Sequence, residues 1–179
     1  MGSPPKKEEY EGPHRVRPLV FFPGRGASKM CIRDRGHAIW RAKRFVGDEP
    51  FAVLLGDDIM RARTPVIGQL IAAAEKYDAS CVGVQQVSTD AIAKYSSVQI
   101  SPLEERVFAV SDMVEKPRPE QIFSHYAILG RYVLRPGIFN VLEDLEPGYG
   151  GEIQLTDGLK ALCRRDKMVA VDLSLIHIW

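Results

Sequence analysis

The stretch FAVLLGDDIM at 51–60 closes an apolar run on Gly56 and then sets two carboxylates, Asp57 and Asp58, side by side. Hard oxygen ligands at the end of a strand suit Mg²⁺, which takes one or two carboxylates together with substrate phosphates. The same residue types cap helices and turns and face water, so both readings stand for G-D-D alone. Gly56 lets backbone come close to a ligand because no Cβ intrudes. A second group is MVEKPRP at 113–119, an extended run ending in Glu115, Lys116 and Pro117. A carboxylate takes the vicinal hydroxyls of a sugar and an ammonium suits a phosphate, while an exposed ion pair would do neither. Neighbouring strand residues point to opposite faces, and Pro117 biases Lys116 towards an extended conformation. A third is PGYGGEIQLTD at 147–157, a glycine loop in which Glu152 and Gln154 meet a ligand or simply close the loop. Thr156 or Asp157 there has the chemistry of a helix N-cap.

Other groups point to less. Gly36-His37-Ala38 is weak alone, and His14, His37, His125 and His177 lack ligand spacing. No G-x-x-x-x-G-K-[ST] and no G-x-G-x-x-G opening a helix is found.

These groups need elements to hold them. HAIWRAKRF at 37–45 has helical character, and FAVLLG reads as a buried strand after Pro50. Pro65 starts a helix through VIGQLIAAAEKY, followed by a strand SCVGVQQV at 80–87. YSSVQI and VFAVSDMVE are two extended segments that turn at Pro102 and Glu104–Arg106. HYAILGRYVL at 125–134 is a strand, Pro136 opens a short helix, DGLKALCRR is a last helix and MVAVDL a last strand. The alternation predicts an α/β domain with a mostly parallel central sheet and helices on both faces. In such sheets ligands sit beyond the carboxyl ends of the strands, where Asp57 and Asp58 would stand.

At 179 residues the chain suits one domain. With 24 Lys and Arg against 23 Asp and Glu, the net charge of +1 offers no field for nucleic acid, so local groups must hold any anion. Cys31, Cys81 and Cys163 are dispersed and form no C-x-x-C. The start lacks an apolar signal core and the longest apolar runs are strand-sized. Together these features predict a soluble protein of the reducing cytoplasm with no membrane partner. The ends differ from the rest: PPKKEEYEGPHRVRP is charged and proline-rich, and KMCIRDR and LSLIHIW resemble translated sequencing-adaptor DNA. The expected division is a non-native or disordered leader at 1–35, a partial domain at 36–173 and a non-native tail at 174–179.

In order and spacing, GHAIWRAKRFVGDEPFAVLLGDDI, KYSS, VEKP, AILGRYVL and GGEIQLTDGLKAL resemble the bacterial UTP–glucose-1-phosphate uridylyltransferases. The resemblance runs from about Gly36 to Leu173, and GDEPFAVLLGDD and GGEIQLTD separate it from the sibling thymidylyltransferases. It implies a Rossmann-like nucleotidyltransferase sheet and a reaction of UTP with glucose 1-phosphate giving UDP-glucose and pyrophosphate. It further implies that Asp57 holds Mg²⁺ with Asp58 and Gly56 near the nucleotide, and that Gly36 meets the uracil region. By the same pattern Glu115 binds glucose hydroxyls and Lys116 the sugar phosphate. Ser96 stands where most members have a glycine touching the sugar.

The family's glycine-rich loop, with the arginine and lysine that grip the triphosphate, and its second metal aspartate have no counterpart here; PGRGASK differs in wording. The chain is therefore expected to be an internal fragment, inactive alone, of a homo-oligomeric parent. A thymidylyltransferase or other sugar-phosphate nucleotidyltransferase, and a non-catalytic nucleotide-sugar-binding module, remain the alternatives.

Overall fold

Period-two and period-3.6 apolar patterns place their elements where the sequence leads one to expect them. The structure, a computed structural model, describes residues 16–21, 35–55, 60–146, 153–173 and 177–178. The first strands are β1 (Arg17–Phe21), β2 (Phe51–Leu55), β3 (Met60–Arg61) and β4 (Ser80–Gln86). They are followed by β5 (Ser96–Glu104), β6 (Val107–Glu115), β7 (Tyr126–Leu134), β8 (Met168–Asp172) and β9 (His177–Ile178). The helices are α1 (Arg35–Arg41), α2 (Lys43–Val46), α3 (Val66–Tyr77), α4 (Thr89–Ile92), α5 (Gly137–Asp144) and α6 (Leu155–Arg165).

Alternating residues of β2, β4 and β7 serve opposite faces of the sheet. Ala52, Cys81 and Val133 pack under α3 with its Val66, Leu70, Ala73 and Ala74. Phe51, Val53, Val82, Val84 and Leu134 lie against Ile39 of α1, Phe139 and Leu142 of α5, and Leu155, Leu159 and Leu162 of α6. Phe51 and Phe139 stack with centroids 5.0 Å apart. Each fully buried Leu, Ile or Phe here contributes about 1.5–3 kcal/mol over its exposed form. Helices thus cover both faces, as expected.

The strand pairing does not follow the expected pattern. The seven-stranded sheet has the order β1-β2-β7-β4-β8-β6-β5, and only β1–β2 and β4–β8 are parallel. β7 runs antiparallel to both of its long neighbours, β2 and β4, and the β5–β6 hairpin is antiparallel to itself and to β8. The sheet is mixed, not mostly parallel. The reason is non-local: β7 enters from the hairpin side and is inserted between β2 and β4. β5 also returns to β7 through Ser97 opposite Ala127, so β7-β4-β8-β6-β5 curls round on itself. Bulges in the hairpin at Gln99/Ile100 and Pro102/Glu104 allow that curl.

The expected boundaries at 36 and 173 meet two further observations. Arg17–Phe21, inside the expected leader, pairs with β2 as the edge strand β1. His177–Ile178, inside the expected tail, pairs with Met60–Arg61.

Candidate active site where β2 ends and β5 begins

β2 and β5 occupy the same edge of β7. Tyr132 pairs with Val82 of β4 on one side and Val53 of β2 on the other. Ala127 pairs with Gln85 of β4 on one side and Ser97 of β5 on the other. Leu54 lies opposite Arg131 and Ser97 opposite Ala127, so at most about 13 Å of strand separates them. The chain leaving β2 after Leu55 therefore departs where β5 begins. β7 is irregular at this point: Val82 pairs with Tyr132 and Gly83 with Leu129, so Gly130 and Arg131 have no partner on β4. Such a bulge re-aims side chains. The buried Arg131 uses it, donating from Nη1 to the Leu55 carbonyl at 2.7 Å and to the Gly130 carbonyl at 3.1 Å. Gly130 is needed for the approach, since a Cβ there would lie 2.5 Å from Leu55 Cδ1.

Glu115, the last residue of β6, faces Ser96, the first of β5, as a cross-strand pair. Directly opposed residues project on one face, and the Ser96 hydroxyl donates to Glu115 Oε2. Thr156, in the first turn of α6, donates to the same oxygen at 2.8 Å and lies 3.1 Å from the Ser96 hydroxyl. Ser96 is buried, and Glu115 and Thr156 are half-buried. The N-terminal end of a helix favours a nearby carboxylate. Thr156 or Asp157 was expected as the N-cap of α6, but Gln154 takes that position and its side chain makes no capping hydrogen bond. The threonine hydroxyl is thereby released for Glu115.

Lys116 is exposed, and its φ of 45° departs from the extended conformation expected before Pro117. Left-handed backbone is unfavourable for a residue with a Cβ. The turn is held by its N–H, which donates to the Tyr95 carbonyl at 2.8 Å, and by the buried Pro117. Strained backbone of this kind collects at functional sites. Its ammonium has no polar partner among the described residues.

Gly36 is buried at the start of α1, where a Cβ would stand 2.5 Å from the Ile153 carbonyl oxygen. Ile153 lies three residues before Thr156, so Gly36 packs against the stretch that leads into α6. Of the expected site residues the structure brings Ser96, Glu115 and Lys116 to this corner, and it packs Gly36 against Ile153 just before α6. Gly56, Asp57 and Asp58 lie outside the described residues, as do the loop residues 147–152. Arg131 was missed, although one arginine inside AILGRYVL was a usable signal, because a buried cation requires acceptors. Among the described residues no three His, Cys, Asp or Glu cluster as a metal site. No described helix is long and apolar enough to cross a membrane.

No protein-family profile matches the chain. A UTP–glucose-1-phosphate uridylyltransferase of Bacillus subtilis (strain 168) is 47% identical over 135 residues, 75% of this chain and 46% of that protein. One of Staphylococcus saprophyticus is 49% identical over 167 residues, 90% of this chain and 58% of the relative. The chain thus spans about half the length of the curated relatives it matches. A crystal structure of UDP-glucose pyrophosphorylase complexed with UDP-glucose superposes with a TM-score of 0.76 at 36% identity, over 82% of this chain and 56% of that one. Sequence and fold converge on one group: over most of its length the chain is similar to the UTP–glucose-1-phosphate uridylyltransferases, the UDP-glucose pyrophosphorylases.

Proposed function

We propose that the protein transfers a uridylyl group from UTP to glucose 1-phosphate, forming UDP-glucose and pyrophosphate. The observation that carries this reading is the shared edge of β7, which sets the end of β2 beside the Ser96–Glu115–Lys116 corner. A phosphate oxygen of glucose 1-phosphate attacks the α-phosphorus of UTP, and the bond from that phosphorus to the leaving pyrophosphate breaks. Such a transfer needs alignment and charge neutralisation more than a protein nucleophile.

In this reading Glu115 accepts from glucose hydroxyls, with Ser96 beside it. Lys116, turned outward by its backbone, holds the sugar phosphate. Asp57 and Asp58 follow β2 in the sequence by two and three residues; in this reading their carboxylates serve the phosphates, and Gly56 and Gly36 serve the nucleotide. Mg²⁺ would be held by Asp57. An Mg²⁺ that keeps waters and takes its other ligands from phosphates needs no three-residue protein cluster. When bound, that ion supplies charge neutralisation at the phosphates.

The test is pyrophosphate release by the full-length protein from glucose 1-phosphate with UTP or dTTP in Mg²⁺. Turnover preferring UTP, reduced at least about 100-fold by Asp57→Asn or Lys116→Ala, is expected. Preference for dTTP would assign the thymidylyl reaction instead. Binding of UDP-glucose without turnover would leave a non-catalytic module.

A further inference from the structure

The carboxylate of Glu115 is engaged on one side only. Both the Ser96 and the Thr156 hydroxyl donate to Oε2, and each has one proton to give, so together they fill that oxygen. Oε1 has no partner among the described residues. The two donors come from different elements. Ser96 is fixed by its ladder position opposite Glu115, and Thr156 by the first turn of α6. A side chain tied at one oxygen from two directions cannot swing about its χ angles without breaking a charge-assisted bond.

Resting on the uridylyltransferase reading, we infer that Ser96 and Thr156 are a positioning pair that commits Glu115 Oε2 to the protein and presents Oε1 as the acceptor for a glucose hydroxyl. Neither residue needs to touch the nucleotide. The pair acts through Glu115 and bears on the sugar alone. A merely structural role, tying β6 to α6, would not distinguish a ligand with the hexose from one without it.

The experiment compares titration of UDP-glucose and of UDP, both in Mg²⁺, into the full-length protein and its variants. Wild type is expected to bind UDP-glucose more tightly than UDP. In Ser96→Ala/Thr156→Val, which removes both hydroxyls while valine keeps the shape of Thr156, UDP-glucose affinity should fall about tenfold while UDP affinity holds. Thr156→Ser, which keeps the hydroxyl, should stay within about twofold of wild type. Unchanged discrimination in the double variant overturns the positioning role. Equal weakening of both ligands also overturns it, since the pair would then be holding the fold. If wild type itself binds the two ligands alike, the uridylyltransferase reading fails and this inference falls with it, a result distinct from either of the others.

Discussion

Lys116 separates a cost of folding from a requirement of function at a single position. Its φ of 45° is one that glycine adopts without penalty, while a residue with a Cβ pays for it. Lys116→Gly should therefore cost no stability, and it compares directly with Lys116→Ala, which keeps the Cβ. The glycine variant should melt above the alanine variant by about 1 kcal/mol in unfolding free energy. Both should lose binding of glucose 1-phosphate to the same extent, because the ammonium is gone in both. Chemical denaturation alongside sugar-phosphate titration reads the two effects separately. Equal stability of the two variants would show that the backbone there is unstrained. Buried Arg131 illustrates the opposite case: its charge is satisfied by carbonyls of Leu55 and Gly130, and its place is at the end of β2.

At the scale of elements, α6 must be docked correctly for Thr156 to reach Glu115. Its far turns are anchored to β6 through Asp112, which accepts from Arg164 at 3.0 Å and pairs with Lys160 at 3.2 Å. Burial works against the charged form of Asp112. The Met113 N–H and the two cations outweigh it and hold the carboxyl below its ordinary value. A depressed folded value means the stabilisation is present above the unfolded value, near pH 4, and is lost as pH falls through the folded one. Asp112→Asn should cost about 1 kcal/mol at neutral pH, and the gap in melting temperature should close as pH falls below the ordinary aspartate range. A gap independent of pH would assign the effect to packing. The elements themselves were legible in the sequence: FAVLL and VIGQLIAAAEKY carry their periods locally, and the turn before Val107 shows in its charges. Pairing was not legible, because the insertion of β7 between β2 and β4 is a property of register between distant segments. The Glu115–Thr156 contact was hidden for the same reason, since 41 positions separate its partners. Glu115, Lys116 and Ser96 could be named in advance through resemblance, but only the fold brings Ser96 and Glu115 opposite one another.

For the whole molecule, the curled sheet under α3 makes one cooperative unit testable through a single thiol. Cys81 sits in β4 at the centre of the sheet, fully buried against α3 with Leu70 and Val133, and burial pushes its thiol far above the ordinary range. The thiolate is the reactive form, so Cys81 should be inert to alkylation in the folded chain at neutral pH. Cys163, half-buried on α6 and also raised by burial, should react slowly but without unfolding. The α3 and α6 faces share β4 and β7, whose alternate residues enter both clusters. If the faces unfold together, pulse labelling of Cys81 along a urea gradient should follow the same midpoint as the circular dichroism of the helices. Leu159→Ala, on the face opposite Cys81, should lower that midpoint by an amount equal to about 2–5 kcal/mol, and it should expose Cys81 in step. Exposure of Cys81 unmoved by Leu159→Ala would mean that the α3 layer opens independently of the layer that carries Thr156.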